Sequence, residues 1–400
     1  MKSIHRRILF SVVFLAITLF SSLAKANFDL WLTDFKLEAI NEGISQSTID
    51  EAFNNISPLP QVIKLDRSQP EFILPFSEYI HQRVTPQQVS IGRKLLAQNQ
   101  ALFDAIENEY GIPRTLLVAF WGMETSYGRN KGNINIPAAL VTLAHDGRRR
   151  EFFRAQLMDA LRILEAGNVK ANAMRGSWAG AMGHMQFMPS TYMRYGVDAD
   201  NDGHIDMWQS IPDAMASAAN YLSSIGWISA EPAAIEVQLP SNFVWQDAQL
   251  TLRKPISEWV ADGVTAMHNQ ALPALSDDAA IVLPQGWQGP AFMVFSNFDV
   301  IMDWNRSVNY ALSVVNLANS YINNTTIIGG QYAETGALSF NQMMVLQTSL
   351  NEHGYDAGNP DGFPGLKTQS AIRLYQISVG LHADGYASPS LLNRLQSSNQ

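Results

Sequence analysis

The chain has 400 residues, a formal net charge of −9, 46% hydrophobic residues and no cysteine. The absence of cysteine excludes disulfides, thiolate metal sites, cysteine nucleophiles and a lipid-bearing cysteine. The negative charge argues against nucleic acid as a partner, and the length suits two or three packed units because single cores stop growing at about 250–300 residues.

The first 26 residues have the pattern of a secretory signal peptide. A positively charged start precedes an apolar run at 8–23, and Ala-Lys-Ala at 24–26 fits a small-x-small cleavage site. A membrane anchor is the competing interpretation, but the apolar run is short and contains serines, so we expect cleavage. The mature chain would begin at Asn27 with a net charge of −13, because the removed residues carry four basic side chains and no acids.

Apolar periodicity predicts long helices in the first half of the chain. They cover residues 29–56, 77–109 and 148–166. A further helix is expected between Pro113, a typical first-turn residue, and Gly128, a typical helix end.

The most informative segment is residues 116–129, in which one acid, Glu124, lies within an apolar stretch. On a helix, Leu117, Phe120 and Trp121 share a face with this acid. We therefore expect a desolvated carboxyl, and desolvation raises the pKa as proton donation near neutral pH requires. From this segment alone the alternative stays open that Glu124 is a boundary residue or part of a structural ion pair.

A second segment, residues 175–191, is rich in Gly, Ala and Ser and follows about fifty residues later. Small residues permit another group to approach the backbone closely. Ser177, His184 and Gln186 could present polar groups beside the carboxylate, and Pro189 marks the start of the next helix.

Residues 198–209 have the acidic spacing of a calcium-binding EF-hand loop. The residue types at loop positions 1, 3, 5, 6, 7 and 9 fit: Asp198, Asp200, Asp202, Gly203, His204 through its carbonyl, and Asp206. Position 12 is Gln209 instead of Glu, and Asp213 could supply the missing carboxylate. Hard oxygen ligands favour calcium, so we expect a structural Ca²⁺ that the chemistry does not require. The alternative is an Asp-rich turn that binds nothing tightly.

The residue pattern of the remaining chain changes twice. Short β-like runs divided by Pro and Gly predict a small mixed subdomain at about 230–300. A helix at about 305–322 follows, and residues 326–339 contain Gly-Gly and little periodicity, which is typical of a linker. A separate compact unit then occupies 340–400, with helices predicted at 340–353, 367–379 and 389–396.

Two of these motifs resemble a known family. Glu-Thr-x-x-Gly-Arg at 124–129, followed by Gly-Ser-x-Ala-Gly-Ala-Met-Gly-x-x-Gln-Phe-Met-Pro at 176–189, resembles the lytic murein transglycosylase B family. The resemblance continues through 219–222 and 297–310 and covers roughly residues 27–325. It implies a mainly α fold, with a lysozyme-like α-helical catalytic domain and a small α+β subdomain, and location in the periplasm.

The C-terminal unit resembles the peptidoglycan-binding domain of three short helices. The match lies in Asp361 to Thr368, in Tyr375-Gln376 and in Asp384-Gly385. It implies binding to the cell wall, where a tethered second binding unit would raise the effective concentration of the enzyme on its polymer. A generic helical unit is the alternative.

The family's members cleave the β-1,4 bond between N-acetylmuramic acid and N-acetylglucosamine of peptidoglycan without adding water, leaving a 1,6-anhydromuramic end. Ordinary glycoside hydrolysis uses two carboxylates, whereas no second carboxylate stands beside the two motifs here. By resemblance, Glu124 acts first as acid and then as base. A hydrolytic muramidase of the same fold and a non-catalytic wall-binding scaffold are the alternatives.

The resemblance also assigns substrate contacts. They are Ser177, Gln186, Tyr221, Trp304, Asn305 and Tyr310. The family usually has Tyr at position 304, and Trp304 keeps a stacking face but lacks the hydroxyl, so a polar contact there is in doubt.

Two further features have structural interpretations that we favour. His184 fits a partly buried structural histidine better than a ligand contact. The run Arg148-Arg149-Arg150 fits a solvated helix start better than a site for stem-peptide carboxylates. As partners we expect peptidoglycan glycan strands and no nucleic acid, and we expect a monomer. The sequence leaves open whether cell-wall synthesis or division proteins associate with it.

Overall fold

The computed structural model describes residues 27–67, 74–273, 275, 278–323 and 326–397. The described residues divide into two compact units: those within 1–68 and 128–217 form the first unit, and those within 69–127 and 218–400 form the second. The predicted signal peptide lies outside the described residues. None of the helices in the described part of the chain is long and apolar enough to span a bilayer.

The described residues form seventeen α-helices. In chain order they are α1 (27–41), α2 (Gln46–Ala52), α3 (Pro60–Arg67), α4 (Phe76–Arg83), α5 (Pro86–Gln98), α6 (Gln100–Tyr110), α7 (Arg114–Thr125), α8 (Ile136–Asp146), α9 (Arg150–Glu165), α10 (Pro189–Tyr195), α11 (Ile211–Ser224), α12 (Ile256–Ala261), α13 (Ser296–Trp304), α14 (Val308–Ile322), α15 (Phe340–Glu352), α16 (Leu366–Ser378) and α17 (Pro389–Ser397).

The described residues also contain seven short strands and two 3-10 helices, Trp245–Asp247 and Met267–Asn269. The strands are β1 (Ile134–Asn135), β2 (Arg175–Gly176), β3 (Ala234–Gln238), β4 (Lys254–Pro255), β5 (Thr265–Ala266), β6 (Asp278–Val282) and β7 (Ala291–Val294). The first two pair with each other, and the other five form one antiparallel sheet in the order β4-β6-β7-β3-β5.

Two predicted long helices were wrong in their extent. The helix predicted at 29–56 is interrupted at Gly43, whose φ of 93° ends α1, and Ser45 then caps α2. The helix predicted at 77–109 is three helices. Thr85 caps α5 ahead of Pro86, which cannot continue α4 because it lacks a backbone N–H. At Asn99 the chain leaves helical geometry, with φ −116° and ψ 29°, between α5 and α6.

In the first unit, α8 and α9 pack against each other and α10 packs on α9. The arginine run lies exposed at the start of α9, and two of its members also have a structural role. Arg148 and Arg149 form ion pairs of 2.8 and 2.5 Å with Asp66, which is only 2% exposed. Both side chains stay exposed at the start of α9, as the favoured interpretation predicted, and they also neutralise a buried acid at the end of α3.

In the second unit, α7 packs against α5 and α14. Helices α5 and α14 can approach each other closely because Gly92 of α5 has no side chain. A Cβ at this position would lie 2.2 Å from the ring of Tyr321 in α14. The five-stranded sheet forms the mixed subdomain. Its core surrounds the fully buried Trp259, whose indole N–H donates to Ala279 O at 2.8 Å.

Helices α15, α16 and α17 share a second small core around Leu346, Ile372 and Leu395. Two buried glutamines hold its turns. Gln347 Oε1 accepts from the backbone N–H groups of Asp361 and Gly362 at 3.0 and 2.9 Å. Gln376 similarly accepts from Gly385 N at 2.9 Å and donates to Asp384 Oδ1 at 2.6 Å.

The C-terminal helices are held against the sheet subdomain. Asp384 Oδ2 accepts from Trp287 N at 2.8 Å, and Arg373 donates to Ala248 O at 3.0 Å. The segment 326–339 between them is also bonded, since Glu334 accepts from Ser390 N at 2.9 Å. The C-terminal domain is thus docked on the subdomain.

Candidate active site

Helix α7 presents Glu124 from a buried scaffold. Residues 116–123 are buried and Glu124 is half-buried. The helix ends at Thr125, three residues before the predicted end at Gly128, because Ser126 and Tyr127 adopt left-handed φ values of 50° and 62°. Such a conformation costs about 1–3 kcal/mol for a residue other than glycine and persists only where the surroundings impose it.

The contacts of Tyr127 impose this geometry. Its hydroxyl donates to Gln88 O at 2.6 Å and lies 2.8 Å from the Tyr321 hydroxyl. Its ring fills the space above Gly122, where a Cβ would lie 2.9 Å from the ring. The end of α7 next to Glu124 is therefore fixed by packing. This role of Tyr127 was not apparent from the sequence.

Trp304 and Tyr310 both donate hydrogen bonds to the carboxylate of Glu124. The indole N–H of Trp304 donates to Oε1 at 2.9 Å, and the hydroxyl of Tyr310 donates to the same oxygen at 2.5 Å. The polar contact that the sequence left in doubt at position 304 is therefore present, because the indole nitrogen supplies the hydrogen. Hydrogen bonds to a charged acceptor are stronger than neutral ones and restrict its orientation.

Tyr310 keeps its proton in this environment. Burial of the side chain and the nearby charge of Glu124 together raise the pKa of the Tyr310 hydroxyl well above its usual value of 10.0. The phenol is 5% exposed. It therefore acts as a hydrogen-bond donor to the carboxylate at every pH relevant to an enzyme.

Aromatic rings line one side of the acid. The rings of Phe120 and Trp304 lie 4.4 Å apart between centroids, and the ring of Tyr221 lies 5.3 Å from that of Trp304. Asn305, half-buried, follows α13 directly. The structure thus brings Glu124, Tyr221, Trp304 and Tyr310 together within the second unit.

Ser177 and Gln186 belong to the first unit, where they lie in the Gly-rich segment. Ser177 Oγ accepts from Ala181 N at 3.0 Å, which leaves its own hydrogen available as a donor. Gln186 has a left-handed φ of 51°, and its Nε2 donates to Lys131 O at 3.1 Å and to Gly183 O at 3.0 Å. Both amide hydrogens are engaged, so Oε1 is the group that can accept from a ligand.

His184 lies in the same segment and is 7% exposed. Burial, followed by the positive charge of Lys131, lowers the pKa of its imidazole to about 4. The backbone N–H of His184 donates to Met207 O at 2.8 Å. The side chain is therefore neutral and buried, which agrees with the prediction of a structural histidine.

The acidic loop 198–213 forms a compact turn. Three carboxylates lie with one oxygen each within 4.8 Å of one another: Asp198, Asp200 and Asp202. Gly203, at loop position 6, has a φ of 91°. Asp213 is buried, and its two oxygens accept from Ala199 N at 2.9 Å and from Asp206 N at 2.8 Å. Asp213 thus ties the two ends of the loop together.

Comparison with known proteins identifies both parts of the chain. The family described as transglycosylase SLT domain matches residues 27–319, and the family described as putative peptidoglycan binding domain matches residues 341–395. The membrane-bound lytic murein transglycosylase B of Escherichia coli K12 is 32% identical over 243 residues. That match covers 59% of this chain and 64% of the relative, so the chain spans just under two thirds of its length.

Solved structures give the same assignment. SltB3 from Pseudomonas aeruginosa, in complex with NAG-anhNAM-pentapeptide, is 43% identical, with a TM-score of 0.90 over 92% of this chain and 99% of that one. Slt35 from E. coli, in complex with calcium, is 28% identical, with a TM-score of 0.64 over 73% of this chain and 92% of that one. The predicted mainly α fold class is confirmed, and the chain belongs to the SLT-domain family of lytic transglycosylases, as its two motifs predicted.

Proposed function

We propose that this chain cleaves the MurNAc–GlcNAc β-1,4 bond of peptidoglycan without water and leaves a 1,6-anhydroMurNAc end. The observation that carries the proposal is the placement of Glu124 at the end of a buried helix, with two hydrogen-bond donors on Oε1 and an aromatic wall beside it. Support comes from SltB3, whose structure holds an anhydro-muramyl peptide.

In the first step, protonated Glu124 donates its proton to the glycosidic oxygen, and the C1–O bond breaks with its electron pair leaving on that oxygen. The carboxylate that results is stabilised by the N–H of Trp304 and the hydroxyl of Tyr310. The rings of Trp304 and Tyr221 offer apolar surface to the sugars.

In the second step, the carboxylate of Glu124 takes the proton of the muramyl C6 hydroxyl as its oxygen bonds to C1. The attacking group belongs to the substrate, and such intramolecular attack has a high effective concentration. Glu124 ends protonated, ready for the next cycle. Ser177 and Gln186 are proposed to contact the substrate through the hydroxyl of the first and the Oε1 of the second.

Digestion of purified sacculi, followed by mass spectrometry of the soluble fragments, tests this function. Wild-type protein should release fragments with anhydro ends, and Glu124→Gln should release almost none. The matched control Glu109→Gln changes an exposed glutamate of α6 and should act like wild type. Reducing ends would indicate a hydrolytic muramidase instead. Equal release by wild type and Glu124→Gln would reject Glu124 as the catalyst.

We also propose a structural calcium ion in the acidic loop. The donor set fits, because three carboxylates converge and Gly203 has the φ that loop position 6 requires. None of the five acids at 198–213 forms an ion pair within the described residues. Asp198, Asp200 and Asp202 would hold the ion with the carbonyl of His204. Asp213 would support the loop through its backbone bonds, in addition to or instead of direct ligation.

The proposed location is the periplasm, reached by cleavage after Ala26. The motif at 24–26 supports it. Cell fractionation with N-terminal sequencing tests it, and a mature start other than Asn27 or a retained leader would contradict it. Light scattering of the purified protein tests the expected monomeric state.

A further inference from the structure

Three aromatic rings form an exposed platform where the sheet subdomain meets the C-terminal domain. The rings of Trp287 and His382 stack, with centroids 4.0 Å apart and planes 29° apart. Trp245 packs edge-on against both, at 5.9 and 5.2 Å. Trp287 is 41% exposed although its ring belongs to a stacked pair. This platform consists of Trp245, Trp287 and His382.

The backbone under the platform is fixed. Trp287 N donates to Asp384 Oδ2 at 2.8 Å, and the preceding Gly286 has a φ of 72°. A Cβ at Gly286 would lie 2.9 Å from the same Asp384 oxygen. The loop that carries Trp287 thus packs closely against the domain that carries His382. The exposed ring faces are therefore preorganised for a ligand.

A cleft of about 330 Å³ adjoins two of these rings. Its walls include Trp287 and His382 together with polar side chains from both domains: Gln288, Glu334, Tyr386, Ser388, Ser390 and Arg394. The volume is at the lower end of the range for small-ligand sites, about 300–1,000 Å³. Rings on one side and hydroxyl or amide groups on the other suit a ligand with one apolar face and a polar rim.

The charges of the cleft favour a neutral ligand over an acidic one. Its lining holds one cation, Arg394, and two acids. Glu334 accepts from Ser390 N and Oγ at 2.9 and 2.7 Å, and Asp384 is engaged by Trp287 N. An anionic stem peptide would meet a site without net positive charge. A neutral N-acetylhexosamine would meet ring faces and hydroxyl partners.

We propose that the platform and its cleft form a second glycan-binding site, which takes a neutral N-acetylhexosamine of the polymer that the active site cleaves. The inference rests on the proposed function for the identity of that polymer. The residues of this site differ from those around Glu124, and they come from two domains. One of these is the domain that matches a peptidoglycan-binding family. The C-terminal domain would therefore bind sugar jointly with the sheet subdomain.

Fluorine NMR on the full-length Glu124→Gln protein tests the proposal. The nine tryptophans are labelled with 5-fluorotryptophan, and the Trp287 resonance is assigned by its loss in Trp287→Phe. The probe is chitotetraose, a neutral, peptide-free β-1,4 tetramer of N-acetylglucosamine. Saturable shifts of the Trp287 and Trp304 resonances are expected.

The outcomes separate the two proposals. A shift of Trp304 with a static Trp287 overturns the second site and leaves the active site intact. A shift of Trp287 with a static Trp304 supports the platform and counts against the catalytic cleft. If Trp287 responds to the free stem pentapeptide and not to chitotetraose, the sugar assignment is overturned in favour of a peptide site.

Binding to purified sacculi gives a second readout in the same Glu124→Gln background. Trp287→Ala should weaken binding about 3–10-fold, the effect expected for losing one aromatic contact. The matched control Tyr332→Ala removes a ring that is 82% exposed on the same unit and should bind normally. Equal binding by the two variants would overturn the proposal, provided that both melt cooperatively.

Discussion

Trp304 and Tyr310, which both donate to Glu124, come from one short stretch of chain. Trp304 is the last residue of α13, and Tyr310 lies in the first turn of α14. Ser307 caps α14 and accepts from Tyr310 N at 3.3 Å. Because α14 packs against α7, this connection sets the orientation of the carboxylate. A preorganised carboxylate needs little reorganisation as it changes from acid to base.

Tyr310→Phe should lower turnover without changing the fold. The substitution removes the hydroxyl that donates to Glu124 Oε1 and keeps the ring. One hydrogen bond to a charged group contributes about 1.5–3 kcal/mol, so kcat on sacculi should fall by about 10–100-fold. Muropeptide release measures the rate, and thermal melting should stay within a few degrees of wild type.

Tyr355→Phe is the matched control for this change. Its hydroxyl donates to Ser378 Oγ at 2.7 Å in the C-terminal domain, so its loss should leave turnover unchanged. Wild-type turnover by Tyr310→Phe would mean that the hydroxyl has no part in stabilising the carboxylate, and the role given to Tyr310 would be wrong.

At the scale of single elements, the end of α3 depends on a buried charge. Burial alone would raise the pKa of Asp66, but hydrogen bonds and charges from Arg148 and Arg149 outweigh it and lower that pKa below 3.8. A lowered folded-state pKa stabilises the fold above the unfolded pKa of about 3.9. This stabilisation is lost as the pH falls through the lower, folded-state value.

Asp66→Asn should therefore destabilise the protein at pH 7 and much less near pH 2–3. The loss of about 1–3 kcal/mol corresponds to a fall in Tm of about 3–8 °C. Melting curves across pH measure it. Glu42→Gln, which breaks the exposed pair with Arg162, should change Tm little at any pH. A constant deficit from pH 7 to pH 2 would show that lost packing, and not charge, causes the effect.

The proposed calcium site in the acidic loop predicts that Ca²⁺ stabilises the fold. Adding Ca²⁺ at about 100 times its Kd should stabilise the fold by about 2.7 kcal/mol, and EDTA should reverse the effect. Scanning calorimetry should show a Tm rise of about 5–10 °C. Asp200→Asn should abolish most of the rise, whereas Asp262→Asn, outside the loop, should retain it. An identical rise with Mg²⁺ would indicate a general ionic effect.

Some of this architecture could be predicted because it depends on local pattern. The boundaries of α9, α14 and the C-terminal helices follow from periodicity and caps, such as the capping box between Ser339 and Gln342. The breaks at Gly43 and Pro86 were also visible in the sequence, but the apolar spacing continues across them and favoured single long helices.

Other features depend on partners far along the chain. The sequence indicated Glu124 and its apolar face, whereas the bond from Trp304 requires residues 180 positions apart to meet. Asp66 and the arginines that pair with it are separated by more than 80 positions, so the sequence did not reveal that these exposed arginines pair with a buried acid. Spacing within one helix cannot report contacts of this kind.

At the scale of the whole molecule, the docking of the C-terminal domain changes how it can act. A flexible tether would raise the effective concentration of enzyme on the wall while leaving its geometry free. Here the bonds from Trp287 to Asp384 and from Arg373 to Ala248 fix the domain on the sheet subdomain. The segment 326–339 is held too, since Glu236 accepts from Ile328 N and Gly329 N at 3.0 and 2.6 Å. Binding by this domain would orient the subdomain on the polymer.

Asp384→Asn should loosen this docking. The carboxylate accepts from Trp287 N, Gln376 Nε2 and Tyr386 N. An asparagine replaces one of the two oxygens by an NH₂ group, which would face at least one of these donors and cannot accept its hydrogen bond. Loss of one charge-assisted bond costs about 1.5–3 kcal/mol and should raise the undocked population about 10–100-fold. Because cleavage of an opened segment follows the population of the open form, limited proteolysis within 326–339 should accelerate by a similar factor.

Asp356→Asn, which changes an exposed acid of the same domain, should be cleaved at the wild-type rate. Equal, rapid cleavage of all three proteins would mean that the segment is open in the wild type and the domain undocked in solution.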